Sequence, residues 1–486
     1  MKNLSIINAG FSIKAFPEYL GGNSQVHDYI IWKDSLWMGL NGDVADRVVN
    51  VLASSGESGI FEIESIVDVI EVSKNVPGYQ LALKIDPEVL LIRPHEISTV
   101  MLKECALRVL GLAIELDKKN LALTHLEAGQ FGLNKKGQPV FLGFSSIVEK
   151  ENIKFPFADF ASLFLCKLKL VSKNRKLASF VTRIESINLE EYKLLSNSLI
   201  PKLKILGTFN NFINSSPFGG LFHTGQFYNF LYHGLSEWNF RRKEGVAKES
   251  KWTMILLMKL FKQVSKLDVH GVTEKWSNYH SHHDIKSMCS KRRGNDDPIG
   301  DHEKQIFEEL KKIDRGTLLD LGANQGYYSL IAAQLGFKVT SLDTDTGAID
   351  KLYSALINSG FSHFIKPAVI DFTKINYGLN SRFTSDVVLA LGFTHHMRLD
   401  QGLSWDVIAR KLAGLTKKRL ITEFKINTNA RSSRGNLDRH VAEDYRVEKF
   451  VDALKCYFEK VEIGATKKKK ASSGQRQLIV CSEKLS

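Results

Sequence analysis

Residues 317 to 336 read TLLDLGANQGYYSLIAAQLG: an apolar run, a turn holding Gly322 and Gly326 with Asn324 between them, then a helical pattern. Asp320 lies near the carboxyl end of the apolar run, just before the turn. A second apolar stretch, KVTSLD, ends at Asp343 with Asp345 close behind, and a third ends in Asp371-Phe372. Glycines in such a turn let the backbone pass close to a bound nucleotide. Carboxylates at the ends of parallel strands accept hydrogen bonds from ribose hydroxyls and from a nucleobase amine.

The turn discriminates between two kinds of nucleotide. A dinucleotide site places glycines at each close approach to a pyrophosphate, in the order GxGxxG. Asn324 interrupts that order, and Asp320 would repel a phosphate. Beside the aminoacyl end of S-adenosylmethionine the same carboxylate is useful, because it helps orient the ammonium group. Asp343, 21 residues beyond Gly322, suits ribose in either case, with Asp345 as a nearby spare. Asp371 is placed to accept from the adenine amino group, and Phe372 to cover an edge of the ring. The three acidic strand ends together favour the methyl donor.

A methyl acceptor must then lie at the carboxyl ends of the same strands. His395 and His396 follow DVVLALG there, and an imidazole near its ordinary pKa of about 6.5 suits removal of a hydroxyl proton. Glu423, expected to end the fifth strand, is the third catalytic candidate, set to orient a histidine or bind acceptor. Each has an equally good structural role, as a cap, a filler or a hydrogen-bond partner. Two histidines with a carboxylate also raise a metal site, but adjacent histidines on extended backbone face opposite ways and no HxH or HExxH spacing is present; no metal is expected. YHSHHD at 279 to 284 has donors without a metal-binding spacing.

These side chains need a scaffold. Strands TLLDLG, KVTSLD, AVIDF, DVVLALG and RLITEF alternate with helical segments YYSLIAAQLG, TGAIDKLYSALINSG and LSWDVIARKLAGL. That alternation predicts an α/β fold with a Rossmann-like parallel sheet. KVEIGA and RQLIVCS close it as two strands able to pair. Upstream, DYIIWKDSLWMGL predicts two short strands around Lys33-Asp34, YQLALKIDP another, and residues 98 to 116 a buried helix. FGLN and PVFLGF flank a turn at Lys136-Gly137. The chain is read as an α+β domain over 1–190, a mostly helical connector over 191–298, and the nucleotide-binding domain over 299–486.

The whole chain sets outer bounds. Its 486 residues are 43% hydrophobic, enough for two or three domains. Five dispersed cysteines without a CxxC pair support neither a disulfide scaffold nor a zinc ribbon, which suits a reducing cytoplasm. The opening MKNLSIINAGFSIKAF lacks the long apolar core of a secretory signal, and no run of about 20 apolar residues predicts a membrane span. A formal charge of +13 suits either RNA or a solvated basic surface. Its densest runs, SKNRK near 173, SKRRG at 290 to 294 and KKKK at 467 to 470, accompany no RNA-binding motif.

LLDLGANQGYYSLIA, VTSLDTD, VIDF and DVVLALGFTHHM resemble the successive motifs of class I S-adenosylmethionine-dependent methyltransferases. By that resemblance Asp320, Gly322 and Gly326 line the methionine end, Asp343 binds ribose, and Asp371 and Phe372 border adenine; Asn324 and Leu391 complete the cofactor lining. With LITEF and WSNYH at 276 to 280, the pattern resembles large bacterial nodulation-type methyltransferases. The resemblance implies that Trp276 and Tyr279 close over cofactor or acceptor. Arg431, in the polar insertion KINTNARSSRGNLDRH, is placed to meet an anionic acceptor. The expected reaction is methyl transfer to an oxygen of a small-molecule or glycan-like acceptor, with nitrogen left open because the donor machinery is the same; RNA methylation and a noncatalytic cofactor-binding scaffold are the alternatives.

LTHLEAGQFGLNKKGQPVFLGFSS has the layout of a kinase-like catalytic loop and metal-binding strand. Matched through PVF, Leu126, Phe131 and Gly143 occupy the positions of the base, the magnesium-binding Asn and the metal-binding Asp. None offers the required oxygen. Glu127 and Asn134 lie one and three residues away, without supplying the second acid. A degenerate, kinase-like accessory domain is expected, without phosphotransfer.

Overall fold

The computed structural model describes residues 13–15, 29–32, 35–41, 66–71, 79–86, 88–150, 155–199, 246–274, 277, 285–290, 301–357, 359–375, 381–426, 444–468 and 475–485. The chain divides into two compact units, met at residues 271 and 272, with 96–98 and 135–138 grouped with the second. Helix Val246–Lys266 therefore belongs to the N-terminal unit, and residues from 272 onward to the C-terminal one.

In the N-terminal unit, β1 (Ile13–Ala15), β2 (Tyr29–Trp32), β3 (Ser35–Asn41), β4 (Ile66–Glu71) and β5 (Tyr79–Ile85) form one sheet in the order β1-β4-β5-β3-β2. β2 and β3 pair antiparallel, with Trp32 opposite Ser35; Lys33 and Asp34, where a turn is expected, lie outside the described residues. β6 (Leu90–Ile92), β8 (Phe131–Leu133) and β9 (Pro139–Phe141) make a second sheet, with Gly137 left-handed in the β8–β9 turn. β7 (Leu121–Leu123) pairs antiparallel with β10 (Ile147–Glu149). Helix Thr99–Lys118 buries eleven residues, among them Met101, Leu102, Cys105, Val109 and Leu116, as its long proline-free apolar pattern requires. Lys103 Nζ donates to the carbonyls of Ser265 and Leu267, tying that helix to the end of helix Val246–Lys266.

The segment expected to resemble a kinase catalytic loop is filled by hydrophobic packing. Phe131 is fully buried, edge-on to Phe141 and Phe164 with ring centroids 5.5 and 5.4 Å away. Leu126 is buried too, and its N–H donates to Asp159 Oδ2 at 3.1 Å. A Cβ on Gly143 would meet the Gln130 side chain at 2.5 Å.

The C-terminal unit is a mixed α/β sheet of seven strands: β11 (Thr317–Leu321), β12 (Lys338–Asp343), β13 (Ile365–Val369), β14 (Ser385–Ala390), β15 (Thr416–Ile426), β16 (Phe458–Lys468) and β17 (Gln475–Lys484). Their order is β13-β12-β11-β14-β15-β17-β16. The first five are parallel, and β17 enters antiparallel between β15 and β16. Helices Tyr327–Gln334, Thr346–Leu356 and Trp405–Leu415 lie on the expected sequence segments. Strands buried on both faces explain the near-continuous apolar runs: Leu318, Leu319, Val387, Val388, Leu389, Leu420 and Ile421 are all fully covered. The order reverses between β11 and β14, so the carboxyl ends of these two strands flank the crevice where open α/β sheets hold ligands.

Two strand ends differ from expectation. β13 stops at Val369, leaving Asp371 as the cap of a 3₁₀ turn, Phe372–Lys374. β15 does not end at Glu423 but runs to Ile426, because antiparallel pairing with β17 continues after pairing with β14 stops at Thr422. Glu423 thus stands one residue past the parallel edge.

Candidate functional site

The turn after β11 is built from left-handed residues. Gly322, Asn324 and Gly326 have φ of 72°, 51° and 80°. Asparagine is among the side chains that tolerate this region, so the departure from glycine at 324 is compatible with the turn. The N–H groups of Gly322 and Ala323 both donate to Leu342 O, at 2.9 and 3.0 Å, folding the turn against β12. Gly326 packs so closely on helix Thr346–Leu356 that a Cβ there would sit 2.5 Å from Leu352 Cδ1.

Asp320 is buried, with 2% exposure, beneath the turn. Its Oδ2 accepts from Ser329 Oγ at 2.6 Å, and Ser329 accepts in turn from Ser341 Oγ at 2.7 Å. Burial pushes its pKa up to about 7; the Ser329 hydrogen bond opposes that rise and the Asp343 charge adds to it. Asp343 is half-buried and divides its oxygens between two backbone donors: Oδ2 accepts from Asn324 N–H at 2.7 Å and Oδ1 from Asp345 N–H at 2.8 Å. Burial raises it to about 6, against the pull of those N–H groups. Each carboxylate oxygen has two acceptor sites, so Asp343 braces the turn while keeping acceptor capacity.

Asp345, the spare, is engaged elsewhere. It caps helix Thr346–Leu356, its Oδ1 accepting from Ala348 N–H at 2.8 Å and from Ser277 Oγ at 2.5 Å. The Ser277 carbonyl accepts from Gln325 Nε2 and Lys351 Nζ, both at 2.7 Å. Ser277, Gln325 and Lys351 therefore fasten residue 277 to the glycine turn and the helix after β12. Sequence reasoning missed this fastening: the three lie 48 and 74 residues apart along the chain, and only Gln325, inside the motif, carried a local signal. Trp276 and Tyr279 on either side of Ser277, the YHSHHD segment and Arg431 lie outside the described residues.

At the third strand end, Asp371 Oδ1 accepts from Thr373 N–H at 2.9 Å and Thr373 Oγ1 at 2.8 Å. Phe372 is buried instead of lying open at the sheet edge, edge-on to Phe393 with centroids 5.0 Å apart. Phe393 also borders Gly322, where a Cβ would come within 3.1 Å of its ring. One aromatic contact thus joins the glycine turn to the third strand end. Leu391 is buried where β14 leaves the sheet.

The two histidines lie on a helix, Thr394–Leu399, and not on extended backbone, and their rings sit tilted against each other at 37° with centroids 4.0 Å apart. They are not equivalent. His395 is 7% exposed, and burial, then the charges of His396, Arg476 and Lys425, depress its pKa to about 2; it stays neutral throughout the physiological range. The side chain of His396 is 32% exposed, and its Nδ1 lies 2.6 Å from Asp400 Oδ2 one helical turn on. Asp400, unmarked in the sequence reading, is four residues away, a spacing that puts two side chains on one helix face.

Glu423 is a buried hub behind them. Its Oε1 accepts from Gly392 N–H at 2.6 Å and pairs with buried Arg476, while Oε2 lies 2.7 Å from His302 Nε2. Its carbonyl accepts from Thr394 Oγ1 at 2.8 Å, which anchors the start of the histidine helix. Glu423 holds the Gly392 backbone, the Arg476 guanidinium and the His302 ring in place. Among the described residues no group of three or more His, Cys, Asp or Glu is arranged to hold a metal, and no helix is long and apolar enough to cross a membrane.

No protein-family model matches the chain. Nodulation protein NoeA of Rhizobium meliloti (strain 1021) is 25% identical over 214 residues, 41% of this chain and 42% of that protein. The chain resembles class I S-adenosylmethionine-dependent methyltransferases, with a nodulation protein among its relatives. The match spans less than half the length of that relative. Solved structures with partial likeness include the bifunctional kinase-methyltransferase WbdD, 16% identical over 39% of this chain and 40% of that one, with a TM-score of 0.30. The N-terminal domain of EvdMO1, crystallised with SAH and D-fucose, is 15% identical over 40% of this chain and 86% of that chain, with a TM-score of 0.28. Magnesium protoporphyrin IX methyltransferase from Synechocystis PCC 6803, with bound SAH, is 14% identical over 39% and 90%, also at 0.28.

Proposed function

We propose that the C-terminal unit binds S-adenosylmethionine and transfers its methyl group to an oxygen of a small-molecule or glycan-like acceptor. The observation that carries this reading is the set of carboxylates around one left-handed turn, Asp320 beneath it, Asp343 bracing it and Asp371 at the next strand end. The residues fit the donor. Asp320 is a buried acceptor suited to a nearby ammonium or sulfonium charge, Asp343 has acceptor capacity for ribose, and Asp371 for an adenine amine. The antiparallel β17 also sets this sheet apart from the dinucleotide-binding order 3-2-1-4-5-6.

Bound there, the donor supplies an electrophilic methyl group whose transfer breaks the carbon–sulfur bond and leaves a neutral thioether. The chain's own share is to hold the acceptor in line, exclude water and take the hydroxyl proton. His396 is assigned that proton. The bond at Nδ1 to Asp400 favours the tautomer with its lone pair on Nε2. His395, buried and held neutral, supports the His396 ring by packing against it, and Glu423 accepts from the Gly392 N–H and, at its carbonyl, from the Thr394 hydroxyl. Trp276, Tyr279 and Arg431 are proposed on the acceptor side. The N-terminal unit is read as an accessory domain without phosphotransfer, in keeping with Phe131 in an aromatic core where a metal ligand would stand.

The test is calorimetry with S-adenosylmethionine and S-adenosylhomocysteine, followed by incubation of the full chain with isotopically labelled donor and cell extract. Label in a small-molecule or glycan fraction supports the reading. Label in RNA replaces it with RNA methylation, donor binding without transfer replaces it with a scaffold role, and absence of donor binding ends it.

A further inference from the structure

Lys411 lies on helix Trp405–Leu415, remote in sequence from every acidic strand end, and is 9% exposed. Its ammonium donates to the carbonyls of Phe372 at 3.3 Å, Thr373 at 2.9 Å and Ile375 at 2.9 Å. A lysine has three N–H donors, and three oxygens of one short turn take them. The same nitrogen lies 5.4 Å from the centroid of the Phe372 ring. Burial lowers the ammonium's pKa, and the nearby Asp371 charge opposes that.

The clamped turn is the one Asp371 caps. Both hydrogen bonds to that carboxylate go to Oδ1, from the N–H and hydroxyl of Thr373. Thr373 is thus gripped at its amide and hydroxyl by Asp371 and at its carbonyl by Lys411. Phe372, between them, is set by Phe393, which also borders Gly322. With Oδ1 engaged by Thr373, Oδ2 is left as the oxygen to accept from a nucleobase amine.

Resting on the methyl-donor reading above, we propose that Lys411 is a specificity-determining positioning residue: by clamping the 372–375 backbone it fixes Asp371 to select adenine at the donor site. It touches no ligand. Its physical role is preorganisation, since a short turn held by three charge-assisted hydrogen bonds need not be ordered when the nucleoside binds. The chemistry selected is an exocyclic amine. A base bearing a carbonyl oxygen there would set acceptor against acceptor, leaving the carboxylate unpaired.

The experiment compares S-adenosylhomocysteine with its deaminated counterpart, S-inosylhomocysteine, by calorimetry on the full chain, in wild type and Lys411→Met. Wild type is expected to prefer the adenine ligand by about 100-fold, and Lys411→Met to reduce that preference to about tenfold or less, chiefly by weakening the adenine ligand. Affinity for the inosyl ligand should change little, while the melting temperature falls because the Phe372, Thr373 and Ile375 carbonyls lose their shared donor. Retention of the full preference in Lys411→Met overturns the inference, as does an equal loss for both ligands, which would mean that the amine holds the whole cleft. A wild type that binds both ligands equally also overturns it, with the donor reading intact; a wild type that binds neither ends the donor reading itself. Should Lys411→Met fail to fold, Lys411→Arg, which keeps the charge but not the three-way fit, is judged by the same ratio.

Discussion

Replacing Asp320 with asparagine should stabilise the apo-protein near neutral pH while weakening donor binding. The buried carboxyl has a pKa raised from 3.8 to about 7, so between those values the folded state keeps a proton that the unfolded state has lost. Its contribution to stability is fully present below pH 3.8 and is lost as pH rises through about 7. At about 1.4 kcal/mol per pH unit, that rise amounts to about 4 kcal/mol at most. The Asp343 charge adds to that rise and its own pKa is raised in the same direction, so the two titrate together, which brings the expected difference to about 2 to 4 kcal/mol. Asparagine keeps an acceptor for Ser329 Oγ and carries no charge. Urea unfolding of the full chain at pH 4.5 to 8 measures this. The wild type should lose stability relative to Asp320→Asn as pH rises, and the gap should level off above about pH 7. In the donor-bound protein the order should reverse, since a cation near Asp320 favours the ionised form. A variant that is less stable than wild type at pH 7.5, or a gap independent of pH, would refute the assignment of a costly buried charge.

Asp343→Ala removes the acceptors for Asn324 N–H and Asp345 N–H as well as those proposed for ribose, so donor affinity should fall about 100-fold by calorimetry; unchanged affinity removes Asp343 from the site. Asp400→Asn should lower turnover by tenfold or more with donor affinity and melting temperature unchanged, because the proton-accepting tautomer of His396 is no longer enforced; an equal loss of binding would mark a structural role. Gly326→Ala forces a side chain to φ of 80° and against Leu352 Cδ1 at 2.5 Å, which should cost about 1–3 kcal/mol in urea unfolding; a neutral result would show that helix Thr346–Leu356 yields there.

The elements of the C-terminal unit and the residue types of its turn follow from local sequence. Burial on both faces leaves apolar strand runs, helices carry their own period, and left-handed backbone restricts 322, 324 and 326 to glycine or asparagine. Those constraints are local, so TLLDL, KVTSLD and the helix at 346 fell where their residues placed them. Pairing between distant strands is not local. It is the pairing with β17 that carries β15 past Glu423 and turns that residue from a strand end into a buried hub for Arg476 and His302. Packing likewise separated two adjacent histidines, burying His395 and giving His396 to Asp400. Asp345 became a helix cap, and Lys411 reached across 36 residues or more to the third strand end. A side chain's protonation and partners follow from what the fold brings against it, and that depends on atoms the neighbouring sequence does not contain.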